Sequence, residues 1–83
     1  MSQTIQHSQR DAINALMRLF GVFSFQGLED KLDLPQGTVS RTFHGKVRIS
    51  SRTFLRAAIL LDMKPSELLE KTGIPKDYFF EGA

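Results

Sequence analysis

LEDKLDLPQGTVSRTFHGK, Leu28 to Lys46, decides how this chain is read. It divides into two short helices joined by a tight turn. Leu28 and Leu32 give the first an apolar face, and Asp33-Leu34 turn the chain, since Asp tolerates the left-handed conformation. Pro35 suits the opening turn of the next helix, where its missing N–H costs nothing. Val39 and Phe43, four apart, give that helix a buried edge, and Gly45 is placed to end it. Its other side then carries Gln36, Gly37, Ser40, Arg41 and His44.

Charge is segregated around the same segment. From Leu34 to Leu61 there is no Asp or Glu, while Arg41, Lys46, Arg48, Arg52 and Arg56 all lie there. The window is +5, so the remainder of a chain whose formal total is +2 carries −3. A small domain with one cationic side points to a polyanion, with DNA the leading candidate.

Working outward, the pattern stays helical. Met1 to His7 reads as a polar tail, and Ser8 as the N-cap of a first helix with Asp11 in its first turn. Ile13, Leu16, Met17 and Phe20 form its inner face, and Gly21 ends it. Ser24 caps a second helix, Phe25 to Leu32. Ser50 caps a fourth, Ser51 to about Asp62, with Phe54, Leu55, Ala58 and Leu61 as its apolar stripe. Pro65 to Thr72 makes a fifth, with Leu68 and Leu69 inward and Gly73 as the stop. Pro75 opens a last short turn through Phe80. No segment alternates with the period of a strand. The expected class is all-α, one domain over 1–83, with 74–83 as a C-terminal extension.

Composition narrows the function classes. Eighty-three residues, 41% hydrophobic and 24% charged, allow one modest core. There is no Cys, and His7 and His44 are the only imidazoles, which argues against a structural zinc site. No cofactor is implied. No apolar run reaches the roughly 18 residues of a membrane span, and the polar N-terminus lacks a signal peptide's apolar core. A cytoplasmic protein with no membrane partner is expected. An enzyme is not expected: no nucleophile set, paired carboxylates or phosphate-cradling glycine loop is present.

From Phe25 to Leu69 the sequence resembles the lambda-repressor-like helix-turn-helix family of the Cro/C1 or XRE type. The resemblance runs through Leu28, Leu32 and Leu34, then Thr38-Val39-Ser40-Arg41, then Gly45-Lys46. It continues with Ser50, Thr53-Phe54-Leu55, Ala58, Leu61 and Glu67-Leu68-Leu69. It implies a five-helix DNA-binding domain, mostly seen in repressors, many of them dimeric. The chain departs from the family pattern at four places. Glu29 stands where a small residue is usual, Asp33 where Gly is favoured in the turn, and Thr42 at an aliphatic position. Phe25, with Gln26 beside it, aligns with the common Gln.

An α-helix fits the major groove, where side chains on one exposed face read base edges. Gln36, Gly37, Ser40 and Arg41 are the expected base-side residues. Gln36 matches adenine, Arg41 matches guanine, and Gly37 permits close approach. Thr38, His44, Lys46, Arg48, Ser50, Ser51 and Arg52 are the expected phosphate-side residues. The expected function is sequence-specific binding of double-stranded DNA as a transcriptional regulator, in the first place a repressor dimer on a palindromic operator. The alternative is a protein-interaction module of the same fold, an adaptor or antitoxin-like partner, motivated by Glu29 and Asp33. The aromatic core is expected from Phe20, Phe23, Phe25, Phe43 and Phe54. Tyr78-Phe79-Phe80 is either further core or part of a dimer interface.

Overall fold

α1 runs Ser2–Phe20, α2 Phe25–Leu32, α3 Thr38–Phe43, α4 Ser51–Leu60 and α5 Pro65–Thr72, and a 3₁₀ turn, Lys76–Phe80, follows. The computed structural model describes the backbone of residues 2–80, and side chains from Gln9 to Phe79 apart from Lys76. Among these the architecture is all-α. α1 is the hub: it packs on α2, α3 and α5, while α4 packs on α2 and α5.

Local chemistry sets most boundaries. Ser24 is extended, and its hydroxyl accepts from the Gly27 N–H at 3.0 Å, capping α2. Ser50 does the same for Thr53 at the start of α4. Asp33 ends α2 in the left-handed conformation, with φ 56°. Pro65 occupies the first turn of α5, and left-handed Gly73 ends that helix.

Two helix starts differ from the sequence reading. α1 does not begin after a cap at Ser8, because helix continues back to Ser2 and takes in most of the expected polar tail. Residue Met1 lies outside the described residues. α3 begins at Thr38 rather than Pro35. Pro35 to Gly37 form a separate turn closed by the Thr38 N–H on the Pro35 carbonyl at 3.2 Å. Gln36 and Gly37 therefore precede the helix instead of forming its first turn.

The core is one cluster in which Leu16, Leu28, Leu32, Val39, Phe54, Ala57 and Leu68 are buried. Phe54 is fully inside; Phe20, Phe25 and Phe43 are half-buried against it. Phe23 is not core: it is 98% exposed in the α1–α2 connection. Leu55 also faces outward, because α4 turns Phe54, Ala57 and Ala58 inward. The C-terminal aromatics are largely core. Tyr78 is buried, and the Phe79 ring lies 5.0 Å from that of Phe54. The side chain of Phe80 lies outside the described residues.

Candidate nucleic-acid interface

α3 is six residues long, too short to hold its own shape in water. Both of its ends are fastened by side chains from other elements. At the start, Gly37 offers no side-chain cap. The Glu29 carboxylate on α2 takes that place. Its Oε2 accepts from the Gly37 N–H and from the Val39 N–H, each at 2.9 Å. An anion at a helix N-terminus is favoured by the N–H groups exposed there and by the helix dipole. Glu29 is 3% exposed, so water does not compete for these bonds. Glu29, which in sequence motivated the protein-interaction alternative, is thus the clamp that fixes α3 on α2.

At the other end the fastening is neutral. Gln9, buried in α1, donates from Nε2 to the carbonyls of Thr42 and Val47, both at 2.8 Å. The Tyr78 hydroxyl donates to Gln9 Oε1 and accepts from the Ile49 N–H, each at 3.0 Å. A buried amide satisfied at both ends holds the segment from Thr42 to Ile49 in one position. Thr42 is buried and returns its hydroxyl to the Thr38 carbonyl at 3.0 Å.

These fastenings present the expected site residues unevenly. Thr38, Arg41, Arg48 and Ser50 share one cleft of about 340 Å³, floored by Leu34, Val39 and Ile49. Arg41 is exposed, with Nη2 at 3.5 Å from the Thr38 hydroxyl, the outer limit of a hydrogen bond. Ser40 is half-buried, and Gln36 is exposed in the turn ahead of α3. His44 caps the C-terminus of α3, and its ring centre lies 5.4 Å from that of Phe43 with the two planes nearly perpendicular. Lys46 is exposed just beyond. Ser51 and Arg52 do not join the cleft. They line a second groove, with Lys31 and the outer face of α4.

Two assignments change in kind. Arg48 donates from Nη2 to the Tyr78 carbonyl at 2.9 Å and lies 4.1 Å from the centre of its ring. Its guanidinium is therefore anchored to the C-terminal turn. The Ser50 hydroxyl is occupied within its own cap, accepting from Thr53 N–H and meeting Thr53 Oγ1 at 2.9 Å. Arg10, not singled out from sequence, places its guanidinium 5.3 Å from the Phe43 ring centre at the end of α3. Nothing around Gln9 or Arg10 in the sequence signals these contacts, because both are made to residues more than 30 positions away.

No protein-family model, no curated protein and no solved structure matches the chain.

Proposed function

We infer that the chain is a sequence-specific double-stranded DNA-binding regulator of the lambda-repressor-like helix-turn-helix type. In this reading α2 and α3 are the two helices of the motif, and α3 enters the major groove. A repressor acting as a dimer on a palindromic operator fits best, with half-site centres roughly 10–10.5 bp apart or a multiple of that. One observation carries the reading. The short helix clamped rigidly by Glu29 and Gln9 lies within the longest carboxylate-free stretch, with Arg41 exposed on it and Lys46 just past its end. A rigid exposed helix within a cationic face is what major-groove recognition needs.

Roles divide by placement. Arg41 reads a base pair, with Ser40 and Gln36 beside it. Lys46, His44 and the first turn of α4 hold the phosphates. That turn leaves the N–H groups of Ser51 and Arg52 without an intrahelical carbonyl, a favourable setting for a phosphate oxygen. Arg48 reaches DNA only while stacked on Tyr78, as a fixed charge rather than a searching one.

The protein-interaction alternative loses its original motive, since Glu29 and Asp33 have structural work within the α2–α3 junction. What favours it instead is the exposure of Leu55, Ile59 and Leu60 on the outer side of α4. Selection of bound DNA from a random pool, followed by titration of the wild type, Arg41→Ala and Lys46→Ala, tests the DNA reading. Arg41→Ala is expected to lose about 1–3 kcal/mol and to relax preference at one base pair. Lys46→Ala is expected to weaken all sequences alike and reduce the salt slope by about one. Salt-independent binding, or two variants indistinguishable from wild type, rejects the reading.

A further inference from the structure

The cleft beside α3 joins a buried apolar floor to a cationic mouth. Its walls come from α1, α2, α3, the loop after α3 and the start of α4. It is therefore a recess into the domain and not a groove along one helix. Its volume, about 340 Å³, falls at the lower end of small-molecule sites, roughly 300–1,000 Å³.

The lining is graded. Ile13, Leu16, Leu32, Val39 and Ile49 are each 6% exposed or less and bring no polar side-chain atom. Leu34, Thr38 and Thr53 are half-buried, and Arg41 and Arg48 are exposed. Among the described residues no Asp or Glu lines the cleft. Arg41 makes no ion pair among the described residues, and its hydrogen bond to Thr38 is at the outer limit, 3.5 Å. Arg48 is pinned by the carbonyl and ring of Tyr78, so its charge stays at the mouth.

We propose that this cleft binds a small amphipathic monocarboxylate, apolar chain inward and carboxylate on Arg41, and that its occupancy releases DNA. The two halves of the site require the two halves of that ligand. An apolar chain takes the place of water over the floor. A carboxylate accepts paired N–H bonds from a planar guanidinium. A nucleic-acid phosphate answers the mouth but is polar on every side and leaves the floor uncovered. A neutral apolar compound covers the floor and leaves Arg41 unanswered. The release rests on the reading of Arg41 as the residue that meets a base; the binding does not. The guanidinium edge that grips a carboxylate is the edge that pairs with guanine O6 and N7. Ligand and operator then compete, and each weakens the other by the same factor.

Titration of the whole chain with octanoate, without DNA, tests the binding. Saturation is expected with a dissociation constant of about 0.1–1 mM. The amide signals of Val39, Ile49 and Thr53 are expected to shift, and those of Ile59 and Leu60 to stay. Acetate and 1-octanol, each lacking one half of the ligand, are expected to bind at least about tenfold more weakly. Arg41→Gln is expected to lose about tenfold in affinity for octanoate and to bind 1-octanol as wild type does. Leu34→Phe, which fills the cleft, is expected to lose both with an unchanged circular-dichroism spectrum. On selected operator DNA, octanoate at about ten times its dissociation constant is expected to weaken binding about tenfold. No saturable shift at Val39 and Ile49 up to about 10 mM overturns the site. So does 1-octanol binding as tightly as octanoate, or an Arg41→Gln affinity equal to that of wild type. Octanoate that binds and leaves operator affinity unmoved overturns the release. A chain that binds octanoate but selects no DNA overturns the DNA reading and keeps the site, and one that selects DNA but takes no octanoate does the reverse.

Discussion

The two ends of α3 are held by opposite kinds of chemistry. The start is held by one charged group over a short reach, Glu29 to Gly37 and Val39. The end is held by neutral groups over a long reach, Gln9 and Tyr78 to Thr42, Val47 and Ile49. The first fixes where the helix begins and its seating on α2. The second fixes the loop that follows and ties it to both termini of the fold. A six-residue helix contributes little stability of its own, so its position is a property of these two fastenings.

Glu29→Ala is expected to have the largest effect. It leaves two N–H groups unpaired, the one at Val39 being buried, and removes a charge-assisted cap. The expected loss is about 2–3 kcal/mol, which for a domain this size lowers Tm by roughly 10–20 °C. Glu29→Gln keeps an acceptor and loses only the charge, so thermal unfolding should place it between Ala and wild type. If Gln is as damaging as Ala, charge rather than hydrogen bonding fastens this end.

Tyr78→Phe comes next. It deletes one oxygen, orphaning the buried Ile49 N–H and Gln9 Oε1, at an expected cost of about 1–3 kcal/mol. Amide exchange sharpens the contrast. Ile49 should exchange faster in Tyr78→Phe with Val39 unchanged, and the reverse should hold for Glu29→Gln. Equal acceleration at both amides in either variant breaks the distinction and makes α3 a single cooperative unit with its two clamps.

Those two clamps were also the least legible parts of the chain. Boundaries set by neighbours read correctly: the caps at Ser24 and Ser50, the left-handed turn at Asp33, and Pro65 and Gly73 around α5. Each depends on chemistry within about four residues. Glu29 was hidden because a carboxylate between Leu28 and Asp30 on an amphipathic helix reads as solvated. Its partners lie eight and ten residues on, beyond any local capping pattern. Ser8 misled for the opposite reason: its cap-like spacing to Asp11 falls inside a longer helix. Leu55 misled because small Ala57 carries less hydrophobic signal than its neighbour, though it is the residue that faces the core. The carboxylate-free stretch is legible as composition, but the split of its cations between two grooves and the capture of Arg48 by Tyr78, 30 residues apart, are tertiary facts.

The smallest stability effect is expected at Gly37, where the first clamp meets the exposed face. Gly37 has φ 91° and ψ −10°, a region that L side chains rarely occupy. A Cβ there falls 3.0 Å from Arg41 Nη1, the end of a flexible side chain that can move aside. Gly37→Ala is thus expected to lose about 1 kcal/mol, chiefly from the backbone conformation. Gly37→Asn tolerates that conformation better and should lose less in a melt, while displacing the Arg41 guanidinium just as much. If α3 reads DNA through Arg41, the two variants should bind the selected operator about equally poorly despite their different melting temperatures. If operator affinity follows Tm instead, the guanidinium is not positioned by its packing against Gly37, and the start of α3 acts on recognition through the backbone held by Glu29.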